Sequence, residues 1–554
     1  MEEREDLKSI LPFLPLVIRS SSLLWPSQVV EPLKVLSRGP DHSQVCSGEV
    51  LSIAIADIRA SLSLFEPLAR SAPQGYALFF DELISREDSR KWFEEVLPEL
   101  ANLLLRLPVL LETHYQNALR YGMETGLRIL GPQEAGIVFL SQELVAALLA
   151  CSFFCLFPIT NRSAKQLPTI NFDELFANLY ESYSESHESK IKCIVNYFER
   201  ICSQMPSGFV SFERKLLSLE YHPLHISYPK ADFWGKSAIP LCPFEAHSSG
   251  LIEDHSNDAL QVDFANKYLG GGALRRGCVQ EEIRFMVNPE LIAGMLFLPS
   301  MEDNEAIEIV GAERFSDYTG YASSFRFSGD YIDKRSIDFL GRRKTRIIAV
   351  DALCNPRMKQ YELKYLLREI NKALCGFLDQ SKSCSYRRLF QEKGLNSINL
   401  DQDDKDHDNT SRTNILLGES PSTSVERNEG GYMNQTVGNS ECNVNQFFDH
   451  QESIGIATGN WGCGSFGGDP EVKTIIQWLA ASQALRPFIS YYTFGLVALQ
   501  NVNQVTQWIL AHEWTVGDLW NVLVEYSTQR FSGQTNLGFF AWLLPSQPDH
   551  EAEC

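Results

Sequence analysis

Strand-like and helix-like runs alternate along this chain between about residues 226 and 530, and that alternation limits the possible folds more than any other feature. Runs at 259–263, 306–310, 346–351, 454–458 and 488–494 read as strands. Helical stretches at 361–378 and 470–485 lie between them, the second opening after Asp469 as an N-cap. Elements that alternate in this way cover both faces of a sheet, which predicts a layered α/β fold for 226–530. Residues 1–225 differ: Leu97, Leu100, Leu103, Leu104 and Leu107, then Phe172, Leu175, Phe176 and Leu179, recur at helical spacing and predict an all-helical accessory domain. Between about 381 and 445 the chain turns polar, as in Asp401-Gln-Asp-Asp-Lys-Asp-His-Asp, and lacks the apolar residues that offset ordering entropy. It reads as a disordered insertion in the α/β domain, and 531–554 as a C-terminal tail.

Several function classes are disfavoured by composition. The longest apolar run, 144–157, is shorter than the ~20 residues that cross a bilayer and reads as a buried helix, so no membrane association is expected. With 49 basic against 70 acidic residues, the net charge of -21 argues against binding along a nucleic-acid backbone, and no direct DNA contact is expected. Thirteen cysteines, an odd number without paired spacing, point to reduced thiols in the nucleus or cytoplasm. Cys151 and Cys155 read as structural, the acidic amino terminus is unlike a secretory signal, and the sequons at Asn161, Asn409 and Asn434 then carry no meaning. Arg342, Arg343, Lys344 and Arg346 read as a solvated edge leading into a strand.

Chemistry concentrates at Gly270-Gly271-Gly272, followed after seven residues by Gln280-Glu281-Glu282. The run 259–263 alternates apolar and polar residues, a half-buried strand with Asp263 near its end. Three glycines then permit positive φ and close backbone approach to a ligand. Residues 283–287 fit either a strand or the first turns of a helix, and a clearer helix starts at Asn288-Pro289-Glu290. Neighbouring carboxylates diverge by roughly 100° on a helix or alternate sides on a strand, so Glu281 and Glu282 are expected to face different ways and do different jobs. One would hold a sugar diol as a carboxylate; the other, buried beside a like charge, would keep a proton for a glycosidic oxygen. The plain alternative is a solvated charged turn. A second glycine-rich segment, 459–468, follows a strand and precedes a helix, where N–H groups and the helix dipole suit a diphosphate; its spacing is not that of a dinucleotide fingerprint.

Residues 261–282, Gln-Val-Asp-Phe-Ala-Asn-Lys-Tyr-Leu-Gly-Gly-Gly-Ala-Leu-Arg-Arg-Gly-Cys-Val-Gln-Glu-Glu, resemble the signature of the poly(ADP-ribose) glycohydrolase family in a plant-like form. Four further stretches resemble it in the same order: 318–322, 347–352, 458–469 and 492–495. The likeness covers most of the chain from about Phe209, and 144–201 resembles the helical region that precedes the catalytic domain in that family. It implies a macrodomain-like mixed sheet flanked by helices, after a helical accessory domain. By the same resemblance Glu282 is the general acid for the leaving ribose oxygen, Glu281 and Asn266 hold the ribose hydroxyls, Gln280 lines the pocket and Asp263 supports it. Tyr321 and Phe494 match aromatics that contact adenine, Phe466 an aromatic beside the diphosphate loop, and Ile252-Glu253 the pair that reads the adenine edge. Gly270, Gly271 and Gly272 belong to the first loop, and Asn460 and Gly464 to the second. Two departures stand out: Leu496 where an acidic residue is frequent, and Arg275-Arg276 in a loop where smaller residues occur.

The implied reaction is hydrolysis of the ribose–ribose O-glycosidic bond of poly(ADP-ribose), releasing ADP-ribose, with no cofactor and no metal. Expected partners are the polymer and proteins that carry it, in the nucleus or cytoplasm, with the enzyme a monomer. A reader that binds chain ends without cutting, and an enzyme that cleaves the protein-linked ester, are the rivals.

Overall fold

A computed structural model describes residues 3–64, 66–118, 125–220, 226–254, 259–379 and 454–544. The expected insertion at 381–445 and residues 545–554 lie outside them.

The first part of the chain contains a hairpin of β1 (Val17–Arg19) and β2 (Ser22–Leu24), then α1 (Ser27–Ser37), α2 (Gly48–Ser61) and α3 (Leu97–Asn117). Leu97, Leu100, Leu103, Leu104 and Leu107 are all buried on one side of α3, as their spacing requires. Strand β3 (Gly136–Ser141) runs into α4 (Gln142–Phe153), which is buried along its length except at Glu143 and includes Cys151. Helices α5 (Asp173–Glu181) and α6 (Glu185–Ser203) and strand β4 (Phe209–Leu216) follow.

The second part comprises β5 (Phe244–His247), β6 (Ala259–Asp263), α7 (Gln280–Val287), β7 (Glu305–Val310), a hairpin of β8 (Ser316–Thr319) and β9 (Arg326–Asp330), β10 (Arg346–Ala349), α8 (Leu363–Phe377), β11 (Gly455–Gly459), α9 (Pro470–Gln483), β12 (Ile489–Tyr492), α10 (Val502–Ala511) and α11 (Val516–Phe531). Eight strands form one sheet in the order β3-β4-β7-β10-β6-β11-β12-β5. From β3 to β10 neighbours are antiparallel, and from β10 through β6, β11 and β12 to β5 they are parallel. Asp469 caps α9, its carboxylate accepting the Glu471 and Val472 N–H groups at 2.9 and 3.2 Å. Among the described residues no helix is long and apolar enough to cross a membrane, and the ten cysteines there are free.

Five expectations change. The helical reading describes most of 1–225, but β3 and β4 lie within it and form one edge of the main sheet. Strand β6 is not half-buried; all five residues are buried, because it is central and α7 covers its polar side, where Arg284 donates to Gln261. Residues 283–287 are helical, and Pro289–Leu296 is a buried 3-10 segment. Of the basic cluster only Lys344 is exposed: Arg342 pairs with Asp338, Arg346 with Glu308, and Arg343 donates to the Arg335 carbonyl. Within the stretch read as a C-terminal tail, residues 531–544 pack onto the rest, since Phe539 and Phe540 are buried and the Phe540 N–H donates to Glu471.

Candidate active site

The parallel half of the sheet sends the carboxyl ends of β6, β10, β11 and β12 to one edge, where open α/β sheets hold their ligands. Both glycine-rich loops leave the sheet there, one from β6 and one from β11.

In the first loop, Gly270 and Gly271 take φ of +86° and +48°. Glu281 accepts the Gly270 and Asn266 N–H groups at 2.7 and 2.8 Å; Glu282 accepts those of Gly272 and Val279, both at 2.9 Å. A Cβ on Gly271 would stand 2.5 Å from Glu281 Oε2 and 2.8 Å from Glu282 Oε1, and one on Gly277 2.6 Å from Glu282 Oε1. Side chains there are excluded by the protein's own carboxylates. The expected divergence of Glu281 and Glu282 therefore fails at the carboxyl groups. Their Cβ atoms leave α7 in different directions, but three further bonds let both side chains bend back onto the loop N–H groups.

Asp263 joins this pair from the end of β6, buried, with neither carboxylate oxygen hydrogen-bonded. Burial pushes its carboxyl up to about 7, with Arg284 pulling down and Glu282 pushing further up. Glu281 is held well above the ordinary carboxyl range by burial, then by Asp263 and Glu282, against the two N–H groups it accepts. Glu282 is the least enclosed of the three, 7 % exposed against 3 % for Glu281 and 1 % for Asp263. Gln280 is occupied in extending β6, accepting the Phe264 N–H at 2.8 Å and donating to the Val262 carbonyl at 3.1 Å. Asn266 Oδ1 accepts the Tyr268 N–H.

The second loop is built differently. Asn460 is pinned to β12, donating to the Thr493 carbonyl and accepting from Tyr491. Trp461 is buried and donates to the Val350 carbonyl, with the Lys473 ammonium 4.0 Å from its ring centre. Lys473 pairs with Glu369 beneath the loop. Phe466 is tied through its carbonyl to the Asn355 N–H at 2.8 Å. The N–H groups of Gly464, Ser465 and Phe466 donate to no group among the described residues, and a Cβ on Gly464 or Gly467 would meet nothing within 4 Å. Consecutive free N–H groups at a strand-to-helix turn suit an anion.

Phe494, beyond β12, is 47 % exposed and holds φ at +52°, a costly conformation for an aromatic residue. It lies beside a small apolar cluster of Ile252, Ala259, Ala457, Tyr492 and Phe264, within 6.3 Å of the Tyr492 ring. The structure brings Ile252 to that cluster and turns the Glu253 carboxylate to Tyr318, which donates to it, and to Arg284 at 3.9 Å. Tyr321 is 55 % exposed; burial of its phenol, with the Glu282 charge, pushes it above the ordinary range, against the Gln280 backbone, and no ring contact joins it to Phe494 among the described residues. Arg275 and Arg276 reach away from the cleft to Glu174 and Glu181. Sequence reasoning missed Tyr318 and Arg284 as supports of Glu253; Arg284, two residues past Glu282 on a helix beside β6, offered the better signal.

Comparison with known proteins fits this cleft. A family model described as poly(ADP-ribose) glycohydrolase, macro domain fold, matches residues 231–501, and one described as the helical domain of poly(ADP-ribose) glycohydrolase matches 84–214. The chain is 61 % identical over 548 residues to poly(ADP-ribose) glycohydrolase 1 of Arabidopsis thaliana, covering 99 % of this chain and 98 % of the relative. It is 54 % identical over 550 residues to probable poly(ADP-ribose) glycohydrolase 2 of Arabidopsis thaliana, covering 99 % of each. With poly(ADP-ribose) glycohydrolase 1 of Caenorhabditis elegans it shares 28 % over 380 residues, 66 % of this chain and 37 % of that one.

Proposed function

This chain belongs to the poly(ADP-ribose) glycohydrolase family, and from that premise we propose that it hydrolyses the ribose–ribose O-glycosidic bond of poly(ADP-ribose) with Glu282 as the acid–base group. The gathering of Asp263, Glu281 and Glu282 on one glycine turn carries the assignment of roles. Three buried carboxyl groups so close cannot all ionise near neutral pH, so the cluster holds protons in the range where a glycosidic oxygen needs one. Glu282, nearest the open cleft, delivers the proton to the leaving ribose oxygen as the C–O bond breaks and the bonding pair departs with that oxygen. Positive charge develops at the anomeric carbon; water adds to it and returns a proton to Glu282. Glu281, already fixed by two N–H groups, keeps lone pairs for the ribose hydroxyls. The free N–H groups of 464–466 would receive the diphosphate, and Phe494 beside Ile252 would stack on adenine. The natural substrate is then the polymer on its carrier proteins.

Incubation with polymer and, separately, with mono-ADP-ribosylated protein tests the reading. Release of ADP-ribose from polymer alone is expected, and Glu282→Gln should lower kcat about 1,000-fold, within the range of general acid–base effects. Its affinity for ADP-ribose, measured by calorimetry, should change less than about threefold, because one amide replaces one carboxyl. Binding of polymer with no turnover in the wild type would make the protein a reader; turnover of the mono-modified substrate would make it an ester hydrolase.

A further inference from the structure

Lys190 belongs to α6, in the part of the chain that carries none of the cleft carboxylates, yet its ammonium group ends beneath the first glycine loop. The side chain is fully buried. Its Nζ donates to the Arg275 and Gly277 carbonyls, both at 2.6 Å, and to the Gly272 carbonyl at 3.5 Å. From the same turn, the Gly272 N–H points the other way and donates to Glu282. Three carbonyls thus face one cation, which leaves the N–H groups to face the carboxylates. Other links between this loop and the helices run from Arg275 to Glu174 and from Arg276 to Glu181 and Asn178, through arginine side chains more than half exposed, and such contacts hold little.

We propose that Lys190 is a positioning residue for the hydrolysis: it fixes the 272–277 turn so that the Gly272 and Val279 N–H groups hold Glu282 at the cleft wall. The inference rests on the acid–base reading of Glu282. Facing Lys190 are Glu282, Cys278, Cys193 and His187; facing Glu282 are Asp263, Glu281, Tyr321 and Cys278. Burial pushes the Lys190 ammonium down to about 8, and Cys278 and Glu282 work against that shift.

Lys190→Met removes anchor and charge; Lys190→Gln keeps an N–H donor and removes the charge alone. Lys190→Met should lower kcat between about 10- and 100-fold with KM for polymer within about threefold, since slight misplacement of a catalytic group costs that much. Lys190→Gln should keep more of kcat. Calorimetry with ADP-ribose and a melting curve establish that each variant is folded with its cleft intact. A kcat within twofold of wild type in Lys190→Met, a kcat in Lys190→Gln no higher than in Lys190→Met, or a parallel loss of ADP-ribose affinity would each overturn the proposal. Glu282→Gln in the same assay keeps the two claims apart. Turnover that survives there removes the acid–base reading, whereas an inactive Glu282→Gln beside a wild-type-like Lys190→Met removes Lys190 alone.

Discussion

The two glycine-rich loops at the edge of the sheet, 270–277 and 459–468, look alike in composition and are built to opposite plans. In the first, glycine makes room for the protein's own groups: the N–H groups of 270 and 272 are spent on Glu281 and Glu282, and a Cβ at 271 or 277 would strike a carboxylate. In the second, glycine leaves room for something else: the N–H groups of 464–466 are unspent, and a Cβ at 464 meets nothing. The first loop is a support for two carboxylates, the second a turn whose unspent N–H groups suit an anion. A glycine-rich stretch therefore does not announce a phosphate site; what matters is where its N–H groups go.

Substitutions of the two loops should separate these plans. Gly271→Ala carries the largest expected effect, because its Cβ would lie 2.5 Å from Glu281 Oε2 at a φ of +48°. Displacing both carboxylates should cost about 100-fold in kcat in steady-state assays, and a loss under about tenfold would break the contrast. Asp263→Asn sharpens it through stability. The Asp263 carboxyl rises from an ordinary 3.8 to about 7 on folding, so the folded state binds its proton more tightly than the unfolded state. Asp263 then contributes stability that is lost as pH climbs from about 4 through 7, and the amide lacks that contribution. Thermal melts should place Asp263→Asn several degrees above wild type at pH 8, the gap narrowing toward pH 4; a gap independent of pH would contradict the linkage. Phe494→Ala, beyond the second plan's strand edge, should weaken ADP-ribose about tenfold by calorimetry with kcat little changed, as loss of one stacked base predicts. Smallest of all, Gly464→Ala should shift the melting temperature by less than about 2 °C, since the added methyl meets no group of the protein itself.

Much of this was legible in the chain. Strands β6, β10, β11 and β12, the Asp469 cap and the apolar run 144–151 of α4 are local patterns, set by alternation, capping chemistry and a run without a polar face. Strands β3 and β4 were not legible, because β3 pairs with β4 and β4 with β7 across long stretches of chain, and nothing in 136–141 or 209–216 identifies those partners. Strand β5, four residues at the far edge, is too short to stand out. At the site, the tandem acids were visible but their convergence was not: backbone geometry separates their Cβ atoms, and only the loop N–H groups draw the long side chains together. Lys190 is one cation on an amphipathic helix, and sequence alone reads it as a solvated face.

Strands β3 and β4 make the accessory stretch something other than a detachable appendage. A polypeptide beginning at residue 226 would carry an incomplete sheet, with the backbone of β7 bared along the side that β4 now covers. Such an open rim is a template for pairing with other chains, so shortening this enzyme to its chemical half would invite aggregation where the full-length polypeptide seals itself.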